Sequence, residues 1–367
     1  MRNELIPSYL KKVPKTLFDL CRGQYNFDYD MMSCRCYDMP FKKRWNIITT
    51  GYNMLARNPK VPNMPVHIMV ELTNYCNLRC PVCPTGTKVL KRKPQNIDVG
   101  LYAKFMDDMS DYLLTSSLWG WGESLLHPEF EEILRLSFNR GVNIILSTNG
   151  QNLNDEKIIN AILRYPPAHL IVALDGITDE TLSVYRQGAK LKPALEGVKG
   201  IATWRKNGVP KLDMRYIVMS HNEHEYPELS TFARNNKFDN LTIRTLSVID
   251  SEGGIEAHSH LKPKGEKYAA YKYDGAKRVE YDGYICDSAL HLPAIFSDGT
   301  LLLCCQDYDG QVKYGDLNKS SFKELWFSER AAKMRKVVLS DNKYKFCYNC
   351  PFKDRVVVGC TVERFTF

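Results

Sequence analysis

The sequence predicts an α/β protein: a partial (β/α)6 barrel of the TIM type followed by a small α+β C-terminal domain. Three observations lead there. From residue 66 to about 250, short β-rich runs alternate with longer helical ones, the pattern of βαβ units on a parallel sheet. Six such units are countable, short of the eight that close a complete barrel. Nine of the twelve cysteines fall in two groups separated by a gap from Cys83 to Cys286, which implies two separate cysteine-bearing modules.

Bulk properties narrow the class. A chain of 367 residues, 44% hydrophobic and 25% charged, can bury a large core and has room for about two domains. No window approaches the roughly 18 consecutive apolar residues of a membrane span. The opening "MRNELIPSYLKK" has neither an apolar core nor a small-residue cleavage site, so a cytoplasmic location is expected. The net charge of +8 is spread thinly, and the one marked basic run, "KVLKRKPQ" (88–95), reads as solvated loop in preference to a contact for an anionic substrate. Nothing demands nucleic acid. In such a setting twelve cysteines point to metal binding more than to disulfides.

Taken in order, residues 1–64 read as a helical preamble, clearest in "RWNIITTGYNMLAR" (44–57) and punctuated by Pro59, Pro62 and Pro65. Its cysteines, Cys21, Cys34 and Cys36, read as free thiols. Residues 65–250 form the barrel. Its strands are "VHIMVEL" (66–72), "SSLWGW" (116–121), "NIILSTN" (143–149), "HLIVALD" (169–175), "DMRYIVM" (213–219) and "NLTIRTL" (240–246). Helices fill the intervals near 100–112, 128–140, 155–164, 191–206 and 226–235. Residues 251–283, rich in Gly, Tyr and charge, read as a bridging segment or lid. Residues 284–367 hold the second cysteine group around a hairpin, "PAIFSDGTLLLCC", with Asp298-Gly299 at its turn.

Cys76, Cys80 and Cys83 form C-x3-C-x2-C directly after the first strand. A closed structural zinc site takes four ligands. The nearest fourth, His67, sits at the far end of that strand. Three thiolates can instead hold three corners of a [4Fe–4S] cluster and leave one iron open to a small molecule. Here the sequence resembles the radical S-adenosylmethionine (SAM) enzymes. "WGWGES" (119–124) is similar to the family's Gly-Gly-Glu region, with Ser124 in place of the usual Pro. "STNG" (147–150), "ALDG" (173–176) and "VYRQGA" (184–189) match its third- and fourth-strand regions.

The resemblance implies that SAM binds the open iron and is cleaved, after one-electron reduction, to methionine and a 5′-deoxyadenosyl radical. A flavodoxin or ferredoxin is the kind of donor implied. Cys76, Cys80 and Cys83 would be the cluster ligands. Gly120, Gly122 and Glu123 would meet the methionyl amine, Ser147 and Asn149 the ribose or carboxylate, and Arg186 the methionyl carboxylate. Tyr75 would pack on adenine. Asp175 suits either the cofactor or the cap of the following helix. Gly120 and Gly122 also suit tight turns.

The second group, Cys286, Cys304 and the pair Cys347–Cys350, resembles the SPASM/twitch extension of these enzymes, with a four-cysteine zinc site as the alternative. "GDLNKSSFKELW" (315–326) is similar to that domain's linker and helix. The two-cluster version needs a cysteine where Val356 stands, so one auxiliary [4Fe–4S] cluster on Cys286, Cys304, Cys347 and Cys350 is expected. Cys360 is the rival ligand, and Cys305 a spare thiol or hydrogen donor. The favoured activity is oxidation of a carbinol in a sugar, aminocyclitol or similar small molecule. Modification of a ribosomal peptide, and epimerisation with Cys305 as donor, are the alternatives.

Overall fold

The computed structural model describes residues 5–247, 256–269, 273–274, 277–278, 286–340, 344–348, 350 and 360–367. Val356, and most of the expected bridging segment, lie outside them.

The chain opens with helix α1 (Leu5–Cys21), strands β1 (Tyr25–Tyr29) and β2 (Met32–Cys36), and helix α2 (Phe41–Ala56). The preamble is therefore not all helical. Tyr25, Phe27 and Tyr29 alternate with polar residues, as do Met32, Cys34 and Cys36, and this period of two builds an antiparallel hairpin.

Six parallel strands follow: β3 (His67–Val70), β4 (Thr115–Leu118), β5 (Asn143–Thr148), β6 (His169–Ala173), β7 (Lys211–Val218) and β8 (Asn240–Thr245). Helices lie at Val99–Met109, Phe130–Asn139, Glu156–Arg164, Asp179–Tyr185, Leu191–Trp204 and Leu229–Asn235. Outward residues of the strands, such as Ile68, Leu146, Val172, Met214 and Ile243, join the helices in the main apolar cluster. The alternate set points inward and mixes apolar residues such as Ile145 and Ile171 with polar ones: His67, Ser117, Ser147, Asp213, Arg215 and Arg244. Inward polar residues need partners, and the hairpin supplies several. Met32 and Cys34 pack on Ile145 and Ile171. Tyr29 stacks on His67 with ring centroids 3.9 Å apart, and the His169 ring meets the Ser33 carbonyl at 3.2 Å.

Short strands β9 (Tyr273–Asp274) and β10 (Lys277–Arg278) pair with each other. The C-terminal segment is built into the barrel sheet rather than standing apart. Strand β11 (Ala294–Ile295) lies parallel to β3, and β12 (Thr300–Leu302) and β13 (Lys313–Asp316) continue outward from it. At the other edge β14 (Thr361–Thr366) runs antiparallel to β8. Among the described residues, the result is one ten-stranded sheet. Gly299, at φ +83°, makes the predicted β11–β12 turn. Among the described residues, no helix is long and apolar enough to cross a membrane.

Candidate active site

The three cysteines of the first group sit on the loop that leaves the C-terminal end of β3. Glu71, fully buried, anchors that loop. It takes both Nη atoms of Arg92 at 2.7 and 2.8 Å, the Trp121 amide at 3.1 Å and the Ser297 hydroxyl at 2.9 Å. Arg92 also donates to the Tyr308 carbonyl at 2.7 Å and lies 3.7 Å over the Phe296 ring. Within the basic run 88–95, Lys88, Lys91 and Lys93 are exposed as a solvated loop expects, and Arg92 alone departs from that reading, clamping the cysteine loop to the C-terminal segment. Burial of Glu71 at the end of an apolar strand forces a cation onto it, and that was the signal available in the sequence.

Gly122 crosses the same loop so closely that a Cβ would stand 2.1 Å from the Thr73 carbonyl and 2.7 Å from that of Tyr75. At Gly120 it would meet Glu71 Cβ at 2.6 Å. This contact with the cysteine loop accounts for both glycines as close-approach positions. Glu123 is buried. Its amide donates to the Tyr75 carbonyl at 2.7 Å, and its carboxylate accepts from the amide of Asn149 at 2.7 Å. Burial raises its pKa. Asn149 in turn donates to Asn77 at 2.8 Å and lies 3.8 Å from Cys76 Sγ. Glu123 and Asn149 therefore lie beside Cys76, while Gly120 and Gly122 pack on Glu71 and on the Thr73–Tyr75 backbone. Ser124 donates to the Leu118 carbonyl at 3.0 Å.

Burial raises the thiol of Cys80 to about 12; Arg186 opposes the shift, and Cys83 and Cys76 add to it. Cys76 is raised by burial, with Cys83 adding. The three thiols are near enough to feel one another. With the tight Cys80–Cys83 turn (3.2 Å), this all-sulfur donor set fits an iron–sulfur cluster. His67 is no ligand candidate: both ring nitrogens are engaged, by Thr115 at 2.6 Å and Ser117 at 2.9 Å.

Asp175 is fully buried, accepting from Arg186 Nε and from the Ile217 amide, both at 2.7 Å. It does not cap the next helix; Thr178 does, at 3.1 Å. Arg186 is held by this carboxylate and lines a cavity of about 250 Å³. Ser147, Arg215, Arg244 and Cys360 also line it. Tyr75 is largely exposed and donates to the Pro94 carbonyl at 3.2 Å. Arg215 and Arg244 escaped sequence reasoning. The available signal was an arginine at an inward position of each of two neighbouring strands.

In the second group Cys304 lies in the field of Cys305, Cys286 and Cys350. The Cys350 amide donates to the Cys347 carbonyl at 3.2 Å, and Cys286, Cys304 and Cys347 pack against the main core. Cys304 is thus near Cys286 and Cys350, with Cys347 one turn before Cys350. Cys360 lies elsewhere, on the cavity wall 3.5 Å from Ser247 Oγ. Cys305 packs with Trp119 and Trp121, and its carbonyl accepts from the Trp121 indole at 3.2 Å. None of the twelve cysteines forms a disulfide.

Residues 70–233 match the radical SAM superfamily, and residues 286–351 match an iron–sulfur cluster-binding domain, SPASM. A tungsten-containing aldehyde ferredoxin oxidoreductase cofactor-modifying protein of Pyrococcus furiosus is 22% identical over 78% of this chain and 88% of its own length. Mycofactocin maturase MftC of Mycobacterium ulcerans is 23% identical over 65% of this chain and 62% of its own. For PqqA peptide cyclase of Gluconobacter oxydans the identity is 22%, over 47% of each chain. The chain thus spans about half to two thirds of those two maturation enzymes. Among solved structures, Streptococcus suis SuiB superposes with TM-score 0.60 at 13% identity, covering 89% of this chain and 84% of SuiB. BtrN in complex with AdoMet and 2-DOIA gives 0.51 at 18%, covering 78% and 93%.

Proposed function

The chain belongs to the radical SAM superfamily and carries a SPASM iron–sulfur domain, and from that premise we propose that it oxidises a carbinol carbon of a small metabolite. Its cofactors are SAM, a [4Fe–4S] cluster and auxiliary iron–sulfur. Cys76, Cys80 and Cys83 hold the SAM-binding cluster; Cys286, Cys304, Cys347 and Cys350 hold a single auxiliary one. When bound, these groups supply a 5′-deoxyadenosyl radical and an acceptor for the second electron.

The protein's own part is positioning. Glu71 and Arg92 fix the cysteine loop, Gly122 lets the Glu123 loop lie against it, and Asp175 orients Arg186 toward SAM. The cavity walls shield the reacting carbon from water. The observation that carries the reading is Cys360 on the cavity wall: with Cys305 turned to Trp121 as a spare thiol, it leaves Cys286, Cys304, Cys347 and Cys350 for auxiliary iron, the complement of one electron acceptor. A cavity of about 250 Å³ also suits a small molecule.

The test is anaerobic turnover of reduced enzyme with candidate metabolites, read by mass. A product lighter by about two daltons, with one 5′-deoxyadenosine per turnover, supports oxidation. A product of unchanged mass refutes it in favour of epimerisation. Peptide modification is the second reading, favoured by the relatives named as a maturase and a peptide cyclase. Turnover of a peptide and of no free metabolite would establish it instead.

A further inference from the structure

We infer that Arg215 and Arg244, backed by Asp30 of the N-terminal hairpin, form the seat for an anionic group of the substrate, a carboxylate or a phosphate. This rests on reading the barrel cavity as the place where substrate reacts.

Arg215 on β7 and Arg244 on β8 both line the cavity. Their side chains are only 15% and 19% exposed. A guanidinium this far from water needs a compensating anion. Among the described residues, each forms an ion pair with one carboxylate, and it is the same one. Asp30 Oδ2 takes Arg215 at 2.5 Å, while Oδ1 takes Arg244. Arg244 spends one further contact on the Thr361 hydroxyl at 2.8 Å, and Arg215 lies 5.9 Å over the Trp119 ring.

The neighbouring acids are already committed. Asp213 is shared by His169 and Arg364, and Asp175 is bound to Arg186. Around the cavity three guanidiniums (Arg186, Arg215, Arg244) therefore face two carboxylates (Asp175, Asp30), which leaves one positive charge in excess. Guanidinium edges left over at a nearly dry wall are forks matched to carboxylate or phosphate oxygens.

The hairpin tip is held for this purpose at a cost. Asp30 and Met31 both adopt positive φ, +51° and +63°, a turn that favours glycine at the second position. Met31 lacks that freedom, so the pairing of Asp30 with both arginines offsets the strain. Asp30 thereby orients the arginines without neutralising them, and the N-terminal hairpin supports the arginine wall of the substrate site from behind.

Calorimetric titration of the reconstituted full chain, loaded with SAM, tests this with acetate and inorganic phosphate as probes and methylammonium as control. Wild type should bind at least one anion and not the cation; the better probe identifies carboxylate or phosphate. Asp30→Asn removes the internal competitor and should tighten that binding about tenfold, the scale of one screened charge contact. Arg244→Met should weaken it at least as much, and Arg244→Lys should recover part. Opposite signs for Asp30→Asn and Arg244→Met are not produced by misfolding. Absence of anion binding by wild type, or weakening by both variants, overturns the inference. Release of 5′-deoxyadenosine by the same wild-type preparation reports the radical chemistry separately, so the two can fail independently.

Discussion

Replacing Arg92 by Met strips the buried Glu71 carboxylate of its bidentate partner while leaving a side chain of similar length over Phe296. Glu71 is fully buried, and Arg92 is 9% exposed, so solvent screens neither charge. Breaking a buried pair from one side costs about 3–5 kcal/mol. Unfolding entropy of about 2.1 cal/mol/K per residue gives ~0.8 kcal/mol/K for this chain. The melting temperature should therefore fall by about 4–6 °C. Glu71→Gln combined with Arg92→Met removes both charges, and the amide oxygen of the introduced glutamine can still accept from Ser297 or from the Trp121 amide, which meet different Glu71 oxygens. The double variant should recover more than half of the loss. Thermal unfolding followed by circular dichroism reads both. A single variant melting within about 1 °C of wild type, or a double variant below the single, would refute the clamp.

Two further predictions use other sites. Burial lowers the pKa of His67 from 6.5 to about 3. The folded protein therefore binds fewer protons than the unfolded one between those values, and stability present above pH 6.5 is lost as pH falls. The slope approaches about 1.4 kcal/mol per pH unit, and His67→Gln should flatten it in denaturant titrations at pH 7 and 5; an unchanged slope would contradict this. Cys360→Ser should leave iron at about eight per chain, four in each of two clusters, and a fall toward four would return Cys360 to the ligand set.

The six barrel strands were legible because their outward residues are continuous apolar runs with helical stretches between. The cysteine spacing announced the first site for a similar reason: all three ligands lie on one loop. The N-terminal hairpin was harder to see. Its period of two is interrupted at Asp30-Met31, where no glycine marks the turn. The joining of β11 and β14 to the barrel edges was hidden too, since a strand as short as Ala294–Ile295 carries no period. Arg92 looked like one member of a basic run until the buried Glu71 supplied its partner. Arg215 and Arg244 were visible as letters, but only the pairing of neighbouring strands puts them on one wall.

On the proposed function, SAM is opened at Cys76, Cys80 and Cys83, and the C-terminal cysteines serve a separate step. Production of 5′-deoxyadenosine by reduced, anaerobically reconstituted protein measures this directly. Wild type should release it, and the variant with all three of these cysteines changed to Ala should release none. The Cys347→Ala, Cys350→Ala variant should still release it while product formation collapses. Continued 5′-deoxyadenosine release by the triple variant would contradict the account at its centre.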